Sequence, residues 1–384
     1  MLRALSRPLV AGVERWLPSA LVFAVLLTGV VAVLALTLTD AGPVEVVRGW
    51  GDGLTGLLAF MTQIALVLLF GYTLAHTRQV RALLVRVGSL PRTPVQAYAG
   101  VTLAAAIASL ISWGLGLVVG ALLSREMAEQ GRARGMRLHF PLLVACGYAG
   151  YVVWHMGYSG SGPLAAATPD SFVEEQLGRT VPVSETIFAP WNLVAIVVTV
   201  VLVVAAMASL RPRPQDRIVE LPENAGPIET AAPAEHEAGT AGDQTAVHPA
   251  QERGTPAQRI DSSRVITLVA GLALVAYLVV YFSQEGFALT LDIVNWTFLA
   301  AILLLVASPT ELGSLIADAA RNVGDILLQF PLYAGILGIM TTTGLITVFS
   351  DFFVDLASPE TLGLWGFLSG GLINMFIPSG GGQF

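Results

Sequence analysis

Long apolar blocks alternate with short polar linkers along most of the chain. Blocks such as 17–38, 54–75 and 192–210 contain no charged side chain. A helix of about 20 residues crosses the ~30 Å hydrocarbon core of a bilayer. The pattern therefore predicts an all-α polytopic membrane protein with several such spans.

Composition narrows the class further. The chain has 384 residues, 54% hydrophobic and 12% charged, whereas a typical soluble domain is about 25% charged. A soluble enzyme, a nucleic-acid-binding protein and a secreted disulfide scaffold are excluded, and Cys146 is the single cysteine. No cofactor and no metal site are predicted. All basic residues are Arg, and Arg with abundant Ala, Val and Gly is typical of a GC-rich bacterial gene.

The placement of Arg predicts which ends of the helices face the cytoplasm. Cytoplasmic loops carry an excess of Lys and Arg. Three Arg precede the first apolar block, and four more lie in the linker 78–92 after the second. The N-terminus is therefore predicted to be cytoplasmic, with the chain in the bacterial cytoplasmic (inner) membrane.

The block 95–123 does not fit a single span. Arg residues flank it on both sides, and 112–116 interrupts it with two glycines. A re-entrant hairpin that enters and leaves on the cytoplasmic side satisfies both features, because non-helical backbone at that depth is tolerated where protein or water covers it. A similar glycine-broken block, 362–382, follows an acidic linker and predicts a second hairpin entering from outside.

The order of these blocks predicts an internal repeat. Residues 212–256 are rich in Pro, Ala, Glu and Thr, which is typical of a disordered linker. We predict a first transmembrane repeat at 1–210, a disordered cytoplasmic linker at 211–263, and a second, incomplete transmembrane repeat at 264–384. Inverted repeats with broken helices indicate a secondary transporter.

Three glycine- and serine-rich breaks are the candidate substrate site. A broken helix exposes backbone N–H groups at the start of its second half, and these groups and the helix dipole attract an anion. The alternative is that the small residues only permit close helix packing. The predicted substrate-binding residues are Ser112, Gly114, Gly116, Ser159, Gly160, Ser161, Gly162, Ser379, Gly380 and Gly381.

Four further polar residues are candidates for ion coupling. His155 lies within a predicted span, four residues before Ser159, and intramembrane ionisable residues are functional candidates. Gln63 and Gln329 occupy matching places in the two halves, and Asn374 lies in the second glycine-broken block. Gln63 and Gln329 are also compatible with hydrogen bonds between helices, and His155 is compatible with a neutral imidazole bonded to a neighbouring carbonyl.

Six motifs along the chain are informative together: Trp16-Leu17-Pro18, Trp50-Gly51-Asp52-Gly53, residues 113–121, Ser159-Gly160-Ser161, Ala166-Ala167-Thr168-Pro169 and Pro378-Ser379-Gly380-Gly381-Gly382. Together they resemble the bacterial short-chain fatty acid transporter family, within the wider ion-transporter superfamily of anion carriers. The resemblance implies uptake of short-chain fatty acids or acetoacetate, inverted repeats and two re-entrant hairpins. We therefore predict a non-enzymatic carrier driven by symported H⁺ or Na⁺, and the sequence leaves open whether it forms a homodimer.

Two alternatives accompany this prediction. Members of the family continue past the Pro-Ser-Gly-Gly-Gly motif, whereas this sequence ends at Phe384, so we expect a C-terminally truncated member, or an inactive or partner-subunit fragment of such a carrier. An intramembrane serine hydrolase is the other alternative, because Gly157-Tyr158-Ser159-Gly160 fits the Gly-x-Ser-Gly pattern of rhomboid proteases. It is disfavoured because a His base must reach the serine, and His155 precedes Ser159 on the same predicted helix.

Overall fold

A computed structural model describes residues 18–213, 216–222, 255–356, 358 and 360–376. Within those residues the chain forms helices and no strand, as the apolar blocks predict. One helix, at Tyr151–Met156, is of the 3₁₀ type. The α-helices are α1 (Ala20–Leu38), α2 (Pro43–Gly53), α3 (Leu58–His76), α4 (Arg78–Gly88), α5 (Pro94–Ile111), α6 (Trp113–Ala133), α7 (Phe140–Gly150), α8 (Ser161–Ala167), α9 (Phe172–Leu177), α10 (Pro190–Ser209), α11 (Pro256–Asp261), α12 (Arg264–Glu285), α13 (Leu291–Leu305), α14 (Pro309–Ala320), α15 (Gly324–Thr342), α16 (Leu345–Leu356) and α17 (Leu362–Phe376).

Six of the described helices are long and apolar enough to cross a membrane: α1, α3, α5, α10, α12 and α15. Most large side chains of α10 and α12 are exposed and apolar, as in Val197, Val201 and Val269. Exposed apolar faces of this extent are stable where lipid, not water, is the neighbour. The prediction of a multi-pass all-α membrane protein is confirmed.

The described chain forms two compact units, and each takes segments from both halves of the sequence. The first unit comprises residues up to Ala65, Thr168–Thr180 and the part from Val323 onward. Its core is one face of α1, made by Ala24, Leu27, Val31 and Ala35, packed with Tyr333, Ile336 and Ile339 of α15. Glycines of α2 and α15 let these two helices approach closely: a Cβ at Gly53 would lie 2.8 Å from the Ala334 carbonyl oxygen.

The second unit comprises Leu66–Ala167 and Val181–Asn322. Its core is formed where α5, α6 and α7 pack together, around Tyr98, Leu123, Met127 and Leu143. Gly120 of α6 faces Gly147 of α7, and a Cβ on either would meet the other's backbone within 3 Å. This small-residue contact brings α7, and with it the break that follows, close to the α5–α6 pair.

The predicted block 95–123 is divided at one residue. Ser112 is extended, with φ −153° and ψ 134°, and it ends α5 and begins α6. The two helices then pack against each other as a hairpin. The break is where the sequence places it, while the depth of the hairpin in the bilayer stays a prediction.

Two expectations require correction. The sequence of residues 326–348, which carries no charge, predicts one continuous helix, but α15 ends at Thr342, because Gly344 adopts a left-handed conformation with φ +71° and α16 starts at Leu345. The predicted disordered linker 211–263 is ordered at its ends. Phe140 N–H donates to the Val219 carbonyl at 2.8 Å, and α11 forms at Pro256–Asp261. Leu221 is buried in the core of the second unit, and this apolar contact offsets the entropy of ordering the segment.

The order of helices recurs along the chain. Helices α1 to α5 have 19, 11, 19, 11 and 18 residues, and α13 to α17 have 15, 12, 19, 12 and 15 residues. Both α2 and α14 begin with proline. Gln63 is the sixth residue of α3, and Gln329 is the sixth residue of α15.

Candidate functional site

Two of the three predicted breaks lie side by side in the second unit. The Trp113 backbone N–H, at the start of α6, donates to the Ser159 hydroxyl at 3.0 Å. The Tyr158 N–H donates to the Leu110 carbonyl, at the end of α5, at 2.7 Å. The tip of the α5–α6 hairpin and the break between α7 and α8 therefore form one polar centre between apolar helices.

The hairpin tip carries polar atoms without a hydrogen-bond partner in the described structure. Ser112 is fully buried, its hydroxyl makes no cap bond to α6, and it has no other partner. The Trp113 indole N–H is also buried and unpartnered. An unsatisfied buried polar group costs about 1–3 kcal/mol. Two adjacent ones at the positive end of a 21-residue helix can accept a ligand with anionic oxygens.

The break between α7 and α8 pairs His155 with a serine other than the one expected from sequence. The His155 Nε2 lies 2.9 Å from the Ser161 hydroxyl, while the Ser159 hydroxyl accepts from Trp113. The predicted α-helical spacing between His155 and Ser159 is wrong locally. The chain is 3₁₀-helical at Tyr151–Met156 and extended at Gly157. Because of this turn, Ser161, six residues after His155, comes back to the imidazole.

The glycines of both breaks have a packing role. A Cβ at Gly114 would lie 3.1 Å from the Leu68 carbonyl oxygen of α3, and one at Gly116 would overlap Ser109 of α5. Gly160 packs in the same way on the His155 carbonyl, and Gly162 is buried. Close packing, the alternative reading of these glycines, is thus observed, and ligand contact by them stays a prediction.

Sequence reasoning missed two residues that hold this centre together. Gly71 of α3 faces the hairpin tip, where a Cβ would lie 2.6 Å from the Ser112 hydroxyl and 2.9 Å from the Leu115 nitrogen. The Asn192 side-chain amide donates to the Met156 and Ile187 carbonyls at 3.0 and 2.7 Å. Asn192 was detectable as a polar residue at the start of an apolar span. Gly71 is a single glycine in an apolar helix and gives no such signal.

The remaining predicted residues lie elsewhere. Gln63 and Gln329 are half-buried in the first unit, where the rings of Phe60 and Phe330 on the same two helices are 6.0 Å apart. Asn374 belongs to α17, and its side chain is outside the described part. Ser379, Gly380 and Gly381 lie outside the described residues.

Aromatic rings surround the α7–α8 break. Trp154 stacks on Tyr151 with ring centroids 5.7 Å apart, and Trp113 lies 6.1 Å from Trp154. The Tyr158 hydroxyl donates to Thr297 of α13 at 3.3 Å. The polar centre is thus enclosed by rings and helix backbone, which lowers the local dielectric and strengthens its hydrogen bonds.

A many-spanning helical protein with a polar centre at a hairpin tip and a broken helix has the features of a membrane transporter. The chain matches the family model described as short chain fatty acid transporter over residues 1–384, and it belongs to that family. It is a transporter rather than an enzyme.

Two curated relatives are similar to the whole chain. One from Escherichia coli (strain K12), named as a candidate short-chain fatty acid transporter, is 38% identical over 387 residues. One from Haemophilus influenzae, with the same name, is 35% identical over 390 residues. Each comparison covers 100% of this chain and 83% of the relative. No solved structure matches the chain.

Proposed function

We propose that this protein carries short-chain monocarboxylates, including acetoacetate, across the bacterial cytoplasmic membrane, with its N-terminus in the cytoplasm. The observation that carries the proposal is the buried, unpartnered Ser112 hydroxyl at the start of α6, beside the Ser159 hydroxyl of the neighbouring break. Family membership supplies the substrate class.

The carboxylate is held without a charged side chain. In this proposal one carboxylate oxygen accepts from the Ser112 hydroxyl and from the N–H groups of Gly114 and Leu115 in the first turn of α6. Ser159 and Ser161 contribute hydroxyls from the adjacent break. Hydrogen bonds to a charged group contribute about 1.5–3 kcal/mol each. Neutral donors suit a carrier, since they bind an anion firmly enough to select it and still release it.

The coupling ion is a proton or Na⁺. His155 is the candidate for proton coupling, because its imidazole contacts the Ser161 hydroxyl inside the polar centre. Backbone carbonyls at an unwound segment are the candidate for Na⁺. Gln63, Gln329 and Asn374 stay further coupling candidates in this proposal.

Alternating access would use two inverted repeats. The recurrence of helix lengths from α1–α5 in α13–α17, with Gln63 and Gln329 at the same helical position, supports this arrangement. In such carriers one repeat moves against the other around a fixed site.

Uptake by the purified full chain in proteoliposomes tests the proposal. Labelled butyrate and acetoacetate are supplied with an inward proton gradient, an inward Na⁺ gradient, or neither. We expect accumulation with one gradient and competition by unlabelled short-chain acids but not by dicarboxylates. If His155→Gln removes proton-driven accumulation and leaves substrate exchange intact, protons are the coupling ion. Absence of both uptake and exchange by folded protein would contradict the proposed function.

A further inference from the structure

A basic cleft lies in the second unit at the ends of three helices, away from the polar centre. Its volume is about 330 Å³. Pro94 begins α5, Arg137 lies in the link between α6 and α7, and Arg211 follows the end of α10. The residues that line the cleft are Pro94, Val95, Tyr98, Arg137, Arg211, Pro212, Arg213 and Ile218.

Among the described residues, three arginines and no acidic residue line the cleft. Two acids bond to arginines of the cleft. Glu220 accepts from Arg137 Nε at 3.1 Å, and the Asp216 carboxylate accepts from the Arg213 backbone N–H at 2.7 Å. The bond to Glu220 uses one of the five N–H donors of Arg137. The cleft therefore has the charge and the donor geometry for a phosphate.

The segment that carries Ile218 is held in place by its neighbours. Phe140 N–H donates to the Val219 carbonyl at 2.8 Å, and Val219 N–H donates to His139 Nδ1 at 3.0 Å. Leu221 inserts into the buried core of the unit. Ile218 thus lines the cleft from an anchored segment, which distinguishes the site from a solvated run of charges.

The position of the cleft, at the ends of helices that span the membrane, indicates that the phosphate belongs to a lipid headgroup. Helices α5 and α10 are both of membrane-spanning length, so their ends mark the boundary between hydrocarbon and headgroups. The Arg content of these links predicts the cytoplasmic side. Leu103 and Ile107 are exposed and lie on the i, i+4 row of α5 that starts at Val95, so an acyl chain can follow this row from the cleft.

We propose that the cleft binds the phosphate headgroup of an anionic glycerophospholipid of the cytoplasmic leaflet. Arg137, Arg211 and Arg213 bind the phosphate, and Val95 and Ile218 contact the glycerol and the first methylenes. Basic pockets at the cytoplasmic ends of membrane helices are suited to anionic lipids. The bound lipid would join the ends of α5 and α10 with the link between α6 and α7.

Native mass spectrometry of the full chain tests the proposal. The protein in detergent is mixed with equal amounts of phosphatidylglycerol and phosphatidylcholine, and the retained lipids are counted. We expect preferential retention of phosphatidylglycerol. The triple variant R137Q/R211Q/R213Q should lose at least about tenfold in that retention, since each Arg near a lipid surface contributes favourably, with no change for phosphatidylcholine.

A matched variant separates the site from bulk charge. R81Q/R86Q/R264Q removes the same charge at Arg residues that do not line the cleft, and it should retain phosphatidylglycerol as the unmodified chain does. Equal loss in both variants, or full retention by the first, would overturn the proposal. So would displacement of the lipid by millimolar inorganic phosphate, which would indicate a site for a free anion. Thermal unfolding of each variant verifies that it is folded.

The variant R137K/R211K/R213K keeps the charge, and so the orientation predicted from it, but lacks the planar fork of guanidinium. Retention intermediate between the unmodified chain and the glutamine variant supports bidentate phosphate binding. The orientation of each variant is measured by cysteine accessibility in C146S single-cysteine derivatives. If the lysine variant retains as little lipid as the glutamine variant and its orientation has changed, the loss is due to altered topology and the proposal is overturned.

Discussion

Glycine serves two different purposes in the two units. In the first unit, Gly49, Gly53 and Gly338 close the contact between the intact helices α2 and α15. In the second unit, Gly71 and Gly114 bring α3 against a hairpin tip, where the helix is interrupted at Ser112. Close approach of intact helices leaves no backbone donor free. Close approach at a break encloses the start of a helix, and here it leaves the Ser112 hydroxyl buried without a partner among the described residues.

The largest effect on stability is expected at the contact between the intact helices α2 and α15. In Gly338→Ala the added Cβ would overlap the Gly49 carbonyl and lie 2.7 Å from the Gly53 Cα. Overpacking of backbone on backbone costs about 1–3 kcal/mol, so we expect a clearly lowered thermal unfolding temperature, and uptake should fall only as far as folded protein is lost. Gly29→Ala in α1 is the control, since nothing lies within 4 Å of its Cβ position. An unchanged unfolding temperature for Gly338→Ala would contradict this prediction, since it would show that the two helices move apart at little cost.

The second effect concerns the hairpin tip. In Gly71→Ala the Cβ meets the Ser112 hydroxyl, which can rotate, and the Leu115 nitrogen, which cannot. We expect a small change in unfolding temperature and at least about tenfold lower uptake, because roughly 1 Å of misplacement in a binding constellation has a large effect. If Gly71→Ala lowers the unfolding temperature as much as Gly338→Ala does, both glycines serve mainly to pack helices, and the difference proposed between the two units is wrong.

Ser112→Ala sharpens the same contrast without changing the packing. Removal of an unpartnered buried hydroxyl leaves stability unchanged or raised, whereas loss of a donor to a carboxylate should lower uptake by about 10–100-fold. Ser209→Ala is the control, because this hydroxyl donates to the Ala206 carbonyl of its own helix and lies outside the polar centre. Unchanged uptake by Ser112→Ala would remove this hydroxyl from the binding site.

The smallest effect is expected for Asn192→Ala. The variant leaves the Met156 and Ile187 carbonyls without their amide donor, so the break is held less firmly. We expect about fivefold lower uptake through a higher KM, since neutral hydrogen bonds contribute about 1 kcal/mol each. Asn322→Ala, which removes an amide bonded at the surface to Asp318, should behave as the unmodified chain. Loss of transport in both would point to expression rather than to the site.

Much of the fold was predictable because membrane spans leave a strong local signal. The blocks 54–75 and 192–210 correspond to α3 and α10 within a few residues. The interruption of 95–123 was visible from its glycines and its flanking Arg. By contrast, the end of α15 at Thr342 depends on the left-handed Gly344, and the residues around this break, Thr341 to Leu345, carry no charge. A search for uncharged blocks of spanning length does not detect a helix break inside such a block.

The site was predictable as a set of residue types and not as a set of partners. Ser112 and Ser159 were candidates because glycine-rich breaks expose donors. Their connection through the Trp113 N–H joins residues 46 positions apart, and no local pattern specifies such a contact. The pairing of His155 with Ser161 likewise depends on a 3₁₀ turn that helical spacing does not anticipate.

The sequence by itself determined that this is a membrane protein, that it is all-α, and to which family it belongs. Burial in lipid requires long uncharged blocks, and the family motifs are each made of neighbouring residues. Only the tertiary structure decided which break meets which, that Gly71 and Asn192 support the tip, and that the Ser112 hydroxyl is left buried without a partner. The physical reason is range. Hydropathy and helix breaks are properties of neighbouring residues, whereas the satisfaction of a buried hydrogen-bond donor depends on every chain segment that packs around it.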